Sequence, residues 1–156
     1  MGRIRAVAAG TGGLRLEMRR VLPAAPRLVF AAFTDSNQLA RWWGPQGFTM
    51  PSVHFDPHVG EAYRIEMQPP EGDSFCLTGE FREVDRPARL AFTFVYEDPD
   101  PDDVETVVEL SFRSLDAMTE VAFTQGPFKT EARRQLHQNG WSDSFDRLEQ
   151  LLSVGA

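Results

Sequence analysis

A chain of 156 residues with a formal net charge of −7 at pH 7 has room for one domain with one sizeable core. It is a poor match for nucleic acid, whose phosphates are neutralised by Lys and Arg, and for anionic membrane surfaces. The single cysteine, Cys76, excludes an internal disulfide and fits a reducing, cytoplasmic setting. No apolar run reaches the roughly 20 residues of a membrane helix, so membrane insertion is not expected. Ala6 stands where a myristoylation signal has Ser or Thr, and Val7-Ala8-Ala9 is too short for a secretory core. Residues 1–13 therefore read as a flexible tail and residues 14–153 as a single domain.

In chain order, the first predicted strand covers residues 14–22, with Leu14, Leu16, Met18 and Arg20 on one face. Pro23 and Pro26 end it and open a short helix, since proline suits the first helical turn. Leu28, Val29, Phe30 and Phe33 form the apolar side of that helix. Asp35, with Gln38 three residues on, predicts the cap of a second short helix, which Gly44-Pro45 stops. About six strands follow. Phe48 and Met50 with Val53 and Phe55 make one, and Tyr63, Ile65 and Met67 another. Phe75, Leu77, Gly79 and Phe81 continue the series, then Leu90, Phe92, Phe94 and Tyr96. Val104 to Phe112 is the next strand, and Val121 with Phe123 the last, ended by Pro127. A period of two between turn residues predicts an antiparallel sheet with one packed face. Gly79 inside a strand predicts a sharp bend or bulge.

Thr130 and Glu131 open a final helix running to about Leu152. Trp141, Phe145, Leu148 and Leu152 lie on one stripe, with His137 one turn earlier. Its natural resting place is the concave face of the sheet. Gly140 in mid-helix costs about 1 kcal/mol against alanine, which predicts either close approach to the sheet or space left for a ligand.

Chemistry-bearing patterns are sparse. His54, Asp56 and His58 would share one face of an extended strand, a donor set suited to zinc or iron, but Pro57 breaks the ladder and a solvated turn is expected instead. The acidic run from Glu97 to Asp103 lacks the glycine and closing glutamate of an EF-hand and reads as a solvated hairpin loop. Cys76 reads as a small buried hydrophobe. Arg64, Glu66, Glu80 and Glu109 alternate with apolar positions and should face solvent as cross-strand pairs. The alternative is that a bulge turns one of them inward, Arg64 first. There is no nucleophile elbow, phosphate-cradling glycine loop or zinc cysteine cluster in the sequence, so neither metal nor cofactor is expected. Trp42 and Trp43, adjacent on a helix and about 100° apart, predict one core plug and one pocket rim.

A further set of residues carries a family resemblance. Val29-Phe30, Phe33-Thr34-Asp35, Trp42-Trp43-Gly44-Pro45 and Phe55-Asp56-Pro57 come first. Gly60, Tyr63-Arg64, Met67 and Gly72 follow. Next are Gly79, Phe81, Glu83-Val84, Pro87 and Arg89-Leu90-Ala91-Phe92-Thr93, and then His137 with Gly140-Trp141. In this order over roughly residues 14–153 the chain resembles the heat-shock protein 90 ATPase activator homologue family. That family lies within the START-like (Bet v 1-like, SRPBCC) superfamily. The resemblance implies an α+β helix-grip fold. In it a curved seven-stranded antiparallel sheet wraps a long C-terminal helix, two short helices lie between strands 1 and 2, and an apolar cavity lies between sheet and helix.

The expected cavity lining is Trp42, Phe48, Met50, Tyr63, Met67, Phe92, Phe94, Phe112, Trp141 and Phe145, with His137 or Arg64 as polar selector. The expected function is binding of a small hydrophobic or aromatic molecule. A cyclase-, aromatase- or hydrolase-like enzyme using the same cavity, or an interaction module contacting a chaperone, are the alternatives.

Overall fold

The computed structural model describes residues 14–154, so the expected tail at 1–13 lies outside the described residues. Strand β1 (Leu14–Leu22) is followed by α1 (Pro26–Thr34) and α2 (Ser36–Trp42). Strands β2 (Thr49–His54), β3 (Ala62–Gln68), β4 (Phe75–Asp85), β5 (Arg89–Tyr96), β6 (Thr106–Leu115) and β7 (Met118–Phe128) come next. Helix α3 (Glu131–Val154) completes the order. The strands form one seven-stranded sheet ordered β1-β7-β6-β5-β4-β3-β2, and each neighbouring pair is antiparallel. This is the helix-grip arrangement.

Local chemistry explains most boundaries. Pro26 occupies the first turn of α1, where its missing N–H costs nothing. The Asp35 carboxylate caps α2 by accepting from the Asn37 and Gln38 amides at 2.9 and 3.2 Å. Val29, Phe30, Ala32 and Phe33 bury α1 against the sheet, whereas Leu28, placed on its apolar side from the sequence, is 45% exposed. The strands bury alternate residues as their period requires: Tyr63, Ile65 and Met67 in β3, and Thr106, Val108, Leu110 and Phe112 in β6. Two strand starts move relative to the sequence reading. Phe48 precedes β2, and Val104 is exposed in the loop before β6.

Pro127 does not end the strands. Between the pairs Leu14–Phe128 and Leu16–Gln125, β7 carries one residue more than β1. Pro127 sits in that bulge, where a missing N–H removes no ladder bond. The bulge expected near Gly79 lies instead at Arg82, between the pairs Phe81–Phe92 and Glu83–Ala91. Gly79 has a different reason, close approach. A Cβ there would overlap the Thr93 carbonyl oxygen of β5 and lie 2.6 Å from Cε2 of Tyr63. The Tyr63 hydroxyl donates to that same carbonyl at 2.7 Å.

Helix α3 lies across the concave face, burying His137, Trp141, Ser144, Phe145 and Leu148. Gln125, fully buried on β7, joins the layers: its Oε1 accepts from Trp141 Nε1 at 2.8 Å and its Nε2 donates to Thr106 Oγ1 at 2.9 Å. Gln125→Leu strands an indole N–H in the core and should cost about 1–3 kcal/mol, measurable by urea denaturation. Among the described residues, no helix is long and apolar enough to cross a membrane.

Candidate ligand cavity

The site is built on the turn after α2. Trp42, the last residue of α2, is fully buried; its Nε1 donates to the Ala32 carbonyl at 2.9 Å and its ring meets Phe33 edge-on at 4.7 Å. Trp43 leaves helical geometry (φ −64°, ψ 138°), so its ring swings to the other side and packs T-shaped on Trp141 at 5.0 Å. Gly44, at φ +96°, carries the reversal in a conformation glycine tolerates best.

Helix α3 holds this turn in place. Ser144 Oγ accepts from the Gly44 amide at 2.9 Å and donates to the Gly140 carbonyl at 2.9 Å. Arg147 donates from one nitrogen to the carbonyls of Trp43, Gly44 and Pro45 at 3.0–3.2 Å.

Between turn, sheet and helix lies a cavity of about 160 Å³. The turn contributes Trp43, Gly44, Pro45 and Phe48. The sheet contributes Met67, Phe75, Phe94 and Tyr96, and α3 contributes Leu136, His137, Gly140, Trp141 and Ser144. The Gly140 position meets only Pro45 Cγ, at 3.6 Å. Of the two expected reasons for this glycine, the structure therefore shows open space rather than close approach to the sheet. Gly140→Ala should raise stability by about 0.5–1 kcal/mol, read as a shift in urea midpoint.

Of the residues named from the sequence, the structure places Phe48, Met67, Phe94, His137 and Trp141 in the wall of this space and the others outside it. Trp42 is the core plug and Trp43 the wall, because the chain leaves the helix between them. Phe112 packs on Phe30 and Phe33 at 5.2 and 5.3 Å, and Phe145 on Phe123 and Phe33 at 5.8 and 6.3 Å. Both pack against Phe33 of α1, which lies over β6 and β7. Tyr63 and Phe92 lie in a cluster with Phe55 and Phe81, and Met50 also falls outside the lining. Arg64 is exposed on the outer face, where its Nε and Nη2 donate to the Glu97 carboxylate at 2.6 and 2.9 Å. That bidentate pair engages its guanidinium away from the cavity wall. Phe75 and Tyr96 were legible as strand residues, but their place in the wall depends on the register that sets Leu77 opposite Tyr96.

The wall is electrostatically quiet. Burial lowers the His137 pKa to about 4, with Asp103 pulling it up and Arg133 pushing it down, so the imidazole is neutral at pH 7. Burial, reinforced by Asp103, pushes the Tyr96 phenol well up and keeps it protonated. Arg133 spans the acidic β5–β6 loop, reaching Asp100 at 2.8 Å and Asp103 at 3.5 Å. His58 Nδ1 lies 3.2 Å from the Asp56 carbonyl in the turn after β2. Among the described residues, no group of three or more His, Cys, Asp or Glu side chains is placed to hold a metal.

The sequence profile described as activator of Hsp90 ATPase homolog 1-like protein matches residues 23–153. The chain belongs to this family. Solved structures agree on the fold. A protein from Chromobacterium violaceum is 25% identical, with a TM-score of 0.81 over 88% of this chain and 96% of its own. One from Rhodobacter sphaeroides is 28% identical, with a TM-score of 0.77 over 93% and 97%. A family protein from Silicibacter pomeroyi, 23% identical over 91% and 99%, has a TM-score of 0.81. Comparison with curated proteins finds no match.

Proposed function

We propose that this member of the Hsp90 ATPase activator homologue-like family binds a small hydrophobic or aromatic molecule in the cavity beneath α3. The supporting observation is the open space beside Gly140, walled by Trp43, Phe48, Phe75, Phe94 and Trp141. Water gains little among such walls, and apolar-lined cavities of about 150 Å³ take up benzene. At about 160 Å³, the volume suits one ring or a fused pair, well below the roughly 300 Å³ and upward of drug-sized sites.

Binding is favoured over hydrolysis by the state of Ser144. Its hydroxyl is held between the Gly140 carbonyl and the Gly44 amide, not on the His137 ring that would have to activate it. The test is to fill the space. Gly140→Leu should keep the fold, since helix propensity improves, and weaken toluene binding by about tenfold or more through lost volume. Isothermal titration giving equal affinity in both proteins would place the ligand elsewhere.

A further inference from the structure

Resting on that reading of the cavity, we propose its ligand class: neutral aromatics of one or two rings bearing a hydroxyl or ring N–H, such as phenols and indoles. His137 receives the ligand's polar atom, and matched carboxylates are rejected.

His137 is only 9% exposed and forms part of the cavity wall. Among the described residues, neither ring nitrogen has a protein hydrogen-bond partner. The imidazole is instead surrounded by rings: Phe94 at 5.5 Å, Tyr96 at 5.9 Å and Phe128 at 5.0 Å. Buried polar groups are almost always paired, so an unpaired one in a cavity wall marks where a polar ligand atom gains most. The other polar side chains that α3 contributes to the wall are already engaged: Trp141 Nε1 on Gln125, and Ser144 on Gly140 and Gly44. A neutral imidazole offers one donor and one acceptor, which suits a hydroxyl or an N–H equally.

Charge decides the other half of the selection. Arg133 is bound to Asp100 and Asp103, and Arg147 to backbone carbonyls of the turn. Neither guanidinium is left to pair with an anion. The loop beside Tyr96 is acidic, carrying Glu97, Asp98, Asp100, Asp102 and Asp103. A ligand carboxylate would lose its hydration in the cavity and gain no counter-charge.

The experiment is isothermal titration of the full chain at pH 7 with phenol, toluene and benzoate. Wild type, His137→Phe, His137→Gln and Gly140→Leu are compared. In wild type, phenol should bind at least as tightly as toluene despite its better hydration, and benzoate at least about tenfold more weakly than phenol. His137→Phe should shift the phenol-to-toluene affinity ratio about tenfold towards toluene, and His137→Gln, which keeps a donor and an acceptor, should restore most of it. If the ratio is the same in wild type and His137→Phe, or benzoate matches phenol, while Gly140→Leu still removes binding, the ligand-class proposal fails and the cavity reading stands. If neither phenol nor toluene saturates the wild-type protein, both fail together.

Discussion

Gly79→Ala should abolish stable folding or cost about 4 kcal/mol or more, far beyond the usual strand-glycine effect. The added methyl would occupy the Thr93 carbonyl oxygen of the neighbouring strand and approach Tyr63 Cε2 to 2.6 Å. Neither neighbour can yield cheaply. Thr93 is fixed from both ends: its carbonyl receives the Tyr63 hydroxyl at 2.7 Å and its Oγ1 receives the Glu80 amide at 2.8 Å. The Tyr63 ring is packed by Phe55, Phe81 and Phe92 at 4.9–5.5 Å. Relief would require β4 and β5 to separate at the centre of the sheet. Gly140→Ala, predicted to stabilise, is the control: the same methyl has opposite signs at two glycines because one faces a backbone and the other a cavity. Circular dichroism with urea titration reads both. A Gly79→Ala protein within about 1 kcal/mol of wild type, the ordinary range for glycine in a strand, would contradict the packing described here.

The second large effect is acid sensitivity carried by His137. Its folded pKa is about 4 against 6.5 for the ordinary side chain. Below pH 6.5 the unfolded chain takes up a proton that the folded chain refuses until about pH 4, so stability rises with pH across that window. Read downwards, about 3 kcal/mol of stability is lost between pH 6.5 and 4 from this residue, and no more from it below 4. Asp103 and Arg133 act on the ring in opposite directions, which leaves burial in command. His137→Phe should flatten this part of the pH profile. Exposed carboxylates such as Glu97, Glu120 and Glu131, held low by arginine partners, contribute equally to both proteins, so the difference isolates His137. Identical profiles from pH 4 to 7 would mean that the imidazole is solvated in the folded state.

The acid window and the cavity share one cause, a neutral imidazole kept from water by Phe94, Tyr96 and Phe128.

The strands were legible because burial on one face imposes a period of two, visible from Tyr63 to Met67 and from Thr106 to Phe112. Helix α3 was legible from the stripe Trp141, Phe145, Leu148. The family came through the ordered set of short motifs rather than through any one of them. The cavity walls were harder, for particular reasons. Which of Trp42 and Trp43 faces the cavity is decided where α2 ends, and that turn is held by Ser144 and Arg147 about 100 residues away. Phe112 and Phe145 have the same alternation and spacing as residues that line the space, but α1 lies over β6 and β7 and covers them through Phe33. Arg64 belongs to the matching motif, yet its partner Glu97 is reached only across the sheet. Pro127 reads as a strand end until β1, more than 100 residues earlier in the chain, supplies the pairing that makes it a bulge.

The most direct test of the cavity as a ligand site is an NMR measurement of intermolecular NOEs between toluene and the protein at saturating ligand. Contacts should appear from toluene to the indole rings of Trp43 and Trp141, to the Met67 methyl and to the Gly140 Hα protons, and should vanish in Gly140→Leu. NOEs confined to exposed apolar residues such as Leu28 or Val59, with none to Trp43 or Trp141, would contradict the account.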